Sequence, residues 1–236
     1  MPIAAGAIGT GKLHGIEFVA ISEPIEYYSK LIAGIEKMAR IKAADYEEKQ
    51  QDILDAAAKL FAQNGYPHSS LTAIARKCRA SKSKLYHYFG SKKDILFQLL
   101  HEYCLFTVEN FAGIDTNLPA EERLRRFVQI YIERPPKMRN RHIVLVNDLK
   151  YLPERERKQI VALERRMLDN VVSLLREMKH SSRADEKVLR TYVLLLFGTI
   201  NGIDSWFNPS GFMTPAELSQ RVAKLFLHGF SNGPRR

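Results

Sequence analysis

The chain has 236 residues, of which 45% are hydrophobic and 26% charged, with a formal net charge of +10 and a pI near 9.6. That length allows one or two domains with a sizeable core, and the basic balance favours an anionic partner. Two cysteines, Cys78 and Cys104, exclude a disulfide framework and a cysteine metal cage, and no apolar run reaches the ~18 residues of a membrane span.

Residues 1 to 22 are rich in Gly, Ala and Ile with little periodicity, and are expected to form an irregular extension. A helix is expected over 24–44, carrying Ile25, Tyr28, Leu31, Ile32, Ile35 and Met38. A second is expected over 46–64, where Ile53, Ala56, Ala57, Leu60 and Phe61 repeat with helical spacing. Asn64-Gly65 ends it, with glycine suited to a left-handed cap, and Ser69 or Ser70 can cap the next helix. Leu71, Ile74, Ala75 and Cys78 form that helix's inner stripe. Ser81 opens a short helix ending at Phe89, Gly90 stops it, and Ser91 caps a longer one with Ile95, Leu96, Leu99, Leu100, Tyr103 and Phe106 inward.

The remainder is helical in period. Pro119 precedes AEERLRRFVQIYIE, Pro135-Pro136 close that segment, and a further stretch covers 137–150. An amphipathic helix runs from Pro153 to about 180, and residues 185 to 207 are apolar nearly all round. Thr214-Pro215-Ala216-Glu217 is a capping box with proline at the first helical position, opening a last helix over 215–229. No strand periodicity stands out. Both cysteines sit beside apolar residues and are expected as buried thiols in a reducing cytoplasm; the N-terminus lacks the pattern of a secretion signal.

Residues 70 to 93 hold Arg76, Lys77, Arg79, Lys82, Lys84, Lys92 and Lys93 and no acidic residue. Two short apolar-periodic pieces around a brief junction, with this charge, read as a helix-turn-helix that meets duplex DNA. Lysine and arginine displace counterions from phosphates, while Ser81, Ser83, Tyr86 and His87 offer donors to phosphates or base edges. Other motifs fail on inspection. Gly6 to Lys12 fits a phosphate-cradling loop, but Leu13 stands where Ser or Thr would hold magnesium. His101-Glu102 begins a zinc-protease pattern, yet position 105 is Leu. No catalytic constellation, metal site or cofactor site is identified, so no enzyme activity is expected.

Residues 46 to 98 resemble the DNA-binding domain of TetR-family transcriptional regulators. The resemblance rests on Ala57 and Phe61 before Gly65, the Leu-Thr-Ala-Ile-Ala second helix, Ser81, the Leu85-Tyr86-His87-Tyr88-Phe89 segment, and Ser91-Lys92 before an acidic residue and an apolar pair. One departure is Arg79, at the turn where the family has glycine. If Arg79 lies at positive φ, about 1 kcal/mol of strain is expected there. The resemblance implies that Ser81, Lys82, Ser83 and Lys84 open the recognition helix in the major groove. It further implies that Tyr86 and His87 meet backbone or bases, and that Ser70, Thr72 and Lys92 meet phosphate.

The same resemblance implies an all-α protein with an N-terminal extension of uncertain role (1–44), a helix-turn-helix head (45–92) and a helical effector-binding and dimerisation domain (93–236). Candidate pocket residues are Phe106, Phe127, Tyr131, Met138, Phe197 and Trp206. Candidate dimer residues, on the last two helices, are Leu195, Gly198, Gly202, Leu218, Val222, Leu225 and Phe226; the two glycines suit either a dimer or close packing within the chain. The segment from Gly198 to Leu218 is similar to family members that respond to acyl-coenzyme A thioesters, with Arg123, Arg125, Arg126, Arg139 and Arg141 available for phosphate. The expected function is a homodimeric repressor on a near-palindromic operator, released by a small apolar or acyl-CoA-type effector. The rival readings are a DNA-binding activator or architectural protein without an effector, and a helical enzyme.

Overall fold

A computed structural model describes residues 9–13, 16–20, 25–178 and 184–231. Two strands, β1 (Gly9–Leu13) and β2 (Ile16–Ala20), pair antiparallel with Gly9 opposite Ala20 and Leu13 opposite Ile16. This hairpin differs from the sequence expectation of an irregular extension without strands. Gly11 and Lys12 lie inside β1 rather than ahead of a helix, which removes the phosphate-loop motif, whose first residues fall outside the described ones. Among the described residues nine α-helices follow: α1 (Ile25–Asn64), α2 (Leu71–Lys77), α3 (Lys82–Tyr88), α4 (Lys92–Ala112), α5 (Ala120–Ile132), α6 (Pro136–Asp148), α7 (Glu154–Arg176), α8 (Glu186–Trp206) and α9 (Pro215–Ser231). The domain architecture is all-α, as expected.

The two helices expected over 24–44 and 46–64 are one helix, because Lys42 to Glu48 contain no glycine or proline to interrupt it. The hairpin and α1 through Gln51 form one compact unit, and Asp52 to Arg236 form another.

Within the second unit, serines set the helix starts. Ser70, Ser81 and Ser91 each accept a hydrogen bond from the backbone N–H three residues on, at 3.1, 3.0 and 3.2 Å. Ser69 does not cap; it is buried and donates to the Leu60 and Gly65 carbonyls. Gly65 takes φ +78° and closes α1 with its N–H on the Phe61 carbonyl. Pro136 opens α6 rather than closing α5. Thr214 and Glu217 form the reciprocal capping box ahead of α9, with Glu217 N–H on Thr214 Oγ1 at 3.2 Å and Thr214 N–H on Glu217 Oε2 at 2.8 Å.

Two apolar clusters hold this unit. One gathers Ile53, Phe61, Ile74, Leu85, Phe89 and Leu96 from α1 to α4 and extends without a break to Val144 and Leu145 of α6, Leu152, and Ile160 of α7. The other packs α5, α7, α8 and α9 around Phe127, Val171, Leu196, Ile200 and Ala223. Among the described residues no helix is long and apolar enough to cross a membrane.

Candidate nucleic-acid interface and effector pocket

The helix-turn-helix is built from its junction. The N–H of Arg79 bonds the Arg76 carbonyl at 3.3 Å and that of Ala80 bonds the Ala75 carbonyl at 2.9 Å, the paired closure of a left-handed helix cap. Arg79 accordingly sits at φ +52°, the one non-glycine residue at positive φ among those described. The strain expected from the sequence is therefore present, at about 1–2 kcal/mol for a residue with a Cβ.

Leu85 anchors α3 by its buried face. Every other α3 position from Lys82 to His87, with Ser81, is exposed; Tyr86 is 50% exposed. Lys82 Nζ stands 5.9 Å from the Tyr86 ring centre. Ser70 and Thr72 are exposed at the start of α2, beside Arg76, Lys77 and Arg79; the exposed positions of α2 and α3 carry cations and no carboxylate of their own, while Asp52 and Asp55 of α1 share a hollow with Lys77 and Arg79. Ser70 and Ser81 spend their hydroxyl oxygens on capping and keep their protons for an acceptor.

Lys92 is placed differently from its neighbours. Its Nζ donates to the Tyr66 and Ser69 carbonyls, both at 2.9 Å, and lies 4.2 Å from the Tyr66 ring centre. Burial lowers its pKa, and Asp148 works against that shift. Asp148 accepts the Tyr66 N–H at 3.2 Å; burial raises its carboxyl above the usual range, opposed by that hydrogen bond. The α1–α2 turn is thus clamped from α4 and from the end of α6. Two of the three ammonium protons of Lys92 are already committed, which leaves one for a phosphate.

Arg141, only 2% exposed, is a second link that the sequence reading did not find. It bonds Asp55 of α1 and Glu102 of α4, each at 2.9 Å, and so ties α6 to the head. This occupies one of the arginines considered for coenzyme A phosphate.

Four of the six candidate pocket residues come together. Phe106, Phe127 and Tyr131 line one void with Tyr103, Phe111 and Arg134, and Phe197 reaches it through ring contacts of 5.9 Å with Phe127 and 6.1 Å with Tyr131. Met138 instead packs against the head-side cluster, and Trp206 is 65% exposed at the end of α8. The void measures about 10 Å³, roughly one water molecule's worth. Beside it lies a polar knot. Arg134 pairs with Asp204, His142 Nδ1 stands 2.8 Å from the same carboxylate, Arg139 reaches its other oxygen at 3.4 Å, and Tyr131 donates to Asn201 at 2.6 Å.

The candidate dimer residues split between two faces. Leu218 and Val222 are buried in the body cluster, with Phe226 partly buried against it. Leu195 and Leu225 face outward, joined by Leu194 and Val188. A Cβ added at Gly198 or Gly202 would meet nothing within 4 Å, so these glycines serve no close approach within the chain. An apolar groove of about 260 Å³ between α8 and α9 is lined by Tyr192, Leu195, Leu225 and Phe226. Cys104 is buried, as expected, but Cys78 is only partly so.

Residues 53–99 match the pattern of bacterial regulatory proteins of the tetR family, and residues 117–230 match the tetracyclin repressor-like C-terminal domain. A TetR-family transcriptional regulator from Bordetella parapertussis 12822 is 31% identical, with a TM-score of 0.68 over 79% of this chain and 98% of that one. The fatty acid metabolism regulator protein of Bacillus subtilis (strain 168) is 26% identical over 187 residues, 78% of this chain and 96% of that protein. A solved structure of FadR from Bacillus subtilis in complex with stearoyl-CoA shares 26% identity at a TM-score of 0.61, over 76% and 98% of the two chains. Two further curated regulators match over only 70 and 54 residues, so the chain spans about a quarter of the length of each. Head, cap geometry and helical body agree with these likenesses, and the chain belongs to the TetR family of bacterial regulatory proteins.

Proposed function

We propose that this chain is a cytoplasmic, homodimeric transcriptional repressor that leaves its operator when an acyl-CoA-type effector enters the helical body. The observation that carries the DNA-binding part is the exposed cationic face of α2 and α3, whose own positions include no acidic residue. Residues 45–92 act as the head, with Ser81 to Lys84, Tyr86 and His87 entering the major groove and Ser70, Thr72 and the free proton of Lys92 on phosphate. Residues 93–236 hold effector and partner, and residues 1–44 form an extension. The outward leucines of α8 and α9 support self-pairing, since a contiguous apolar face on a helix pair marks an interaction surface. The effector class is supported by the likeness to a fatty acid metabolism regulator and to a stearoyl-CoA complex.

Effector release follows if the thioester binds one head spacing better than the other, because only differential affinity moves a two-state equilibrium. The test is fluorescence anisotropy of the full chain with duplex DNA from upstream of its own gene. Nanomolar binding that weakens upon addition of a short-chain acyl-CoA is expected. Binding to that DNA no tighter than to random duplex would refute it.

A further inference from the structure

Asp148 is only 4% exposed, and its carboxylate accepts the backbone N–H of Tyr66 across 82 residues of chain. Burying a carboxylate is unfavourable, so its place at the end of α6 calls for a reason. The reason lies in what Tyr66 holds. Its carbonyl accepts from the Lys92 ammonium at 2.9 Å, and its ring centre lies 4.2 Å from the same ammonium. Tyr151, in the single turn that follows α6 (Leu149–Tyr151), stacks on that ring at 5.4 Å with 26° between the planes. Tyr66 is therefore fixed by Asp148 at its backbone and by Tyr151 at its ring, and it fixes Lys92 by its carbonyl and the same ring.

Lys92 differs in this from the cations near it. Lys84 and Lys93 are exposed on α3 and α4, and a flexible lysine gives up rotamer freedom when it meets a phosphate. Lys92 is half-buried and already ordered by the Tyr66 and Ser69 carbonyls, so a phosphate at its remaining proton takes away little further freedom. An ordered donor also has a fixed place. It meets a phosphate only while Tyr66 stays where Asp148 and Tyr151 hold it.

We propose, resting on the DNA-binding reading above, that Asp148 and Tyr151 are positioning residues for operator binding, acting through Tyr66 on the phosphate contact of Lys92. Neither needs to touch DNA. The end of α6 thereby sets the strength of one contact made at the start of α4.

The experiment measures anisotropy of the full chain on duplex DNA from upstream of its own gene, at several salt concentrations. The variants are Asp148→Ala, Asp148→Asn, Tyr151→Ala and Lys92→Met, with each of the first three also combined with Lys92→Met. Asp148→Ala and Tyr151→Ala are each expected to weaken binding about fivefold and to make the salt slope shallower by up to about 0.9, as Lys92→Met does. Added to Lys92→Met, neither should weaken binding by more than about twofold further, because the contact they position is already gone. Asp148→Asn loses the same charge as Asp148→Ala but keeps an oxygen for the Tyr66 N–H, so it should bind within about twofold of wild type. That order separates positioning from charge, since a carboxylate that only repelled DNA would strengthen binding on removal in both variants alike. Tyr151 is 37% exposed and its loss should leave the fold intact, so Tyr151→Ala decides the matter where Asp148→Ala does not fold.

Wild-type binding by Tyr151→Ala, or losses that add in full to that of Lys92→Met, overturn the inference. A loss in Asp148→Asn as large as in Asp148→Ala overturns it too. If Lys92→Met itself binds like wild type while Lys84→Ala does not, this inference falls and the DNA-binding head stands. If the wild-type chain binds that duplex no tighter than random DNA, the DNA-binding reading falls and takes this inference with it.

Discussion

Arg79→Gly separates two roles that usually move together. Arg79 occupies the left-handed cap position at φ +52°, where a side chain costs about 1–2 kcal/mol. Glycine removes that strain but frees the unfolded chain, which returns about 0.4–1 kcal/mol. The net expectation is a gain of about 0.5–1 kcal/mol, or about 1–4 °C in melting temperature for a unit of this size. Operator affinity should move the other way. Losing one exposed cation at the junction of α2 and α3 should reduce the slope of log affinity against log salt by about 0.9 where that cation meets a phosphate. Arg79→Ala is the control, because it loses the charge and keeps the strain. Thermal melts and anisotropy at several salt concentrations on all three proteins give the answer. If Arg79→Gly is no more stable than Arg79→Ala, the strain argument is wrong.

Lys84→Ala and Tyr86→Ala should each weaken operator binding at least fivefold with unchanged melting temperature; wild-type binding by both at moderate salt would remove α3 from the interface. Lys92→Met should lower stability by about 2 kcal/mol, since it strands two carbonyls that now accept a charged donor, and a melt checks it directly. Iodoacetamide at pH 8 should label Cys78 and spare Cys104 until the protein unfolds, because burial pushes the Cys104 thiol up to about 12; mass spectrometry of the two peptides decides it. Leu195→Glu with Leu225→Glu should convert a dimer to a monomer in light scattering, both side chains being exposed and Leu225 74% so.

Local chemistry was legible in the sequence. Each capping serine, the Gly65 turn, the Thr214–Glu217 box and the anomaly at Arg79 depend on residues within a few positions of one another, so their spacing states them. What the sequence could not state depends on distant partners. Lys92 looked like one more phosphate-seeking cation because nothing in SKKD reveals that the Tyr66 and Ser69 carbonyls lie under its ammonium. Arg141 looked like surface charge because Asp55 and Glu102 are far off in the chain. Residue type alone groups Trp206 and Met138 with the pocket, and α8 is apolar on so many sides that type does not say which way a ring points. Leu218 and Val222 fell to the same ambiguity on α9. The hairpin escaped because Gly9 to Leu13 offers little of the alternation that marks a strand.

Ile53, Ile74 and Leu85 share one apolar cluster with Val144, Leu145 and Ile160. A head cut from this protein after the first turns of α4 would carry a raw oily flank, so transplanting it onto another body requires bringing the matching surface of α6 and α7 along. Calorimetry should show the two parts melting in one step, because neither can lose its fold without uncovering the other.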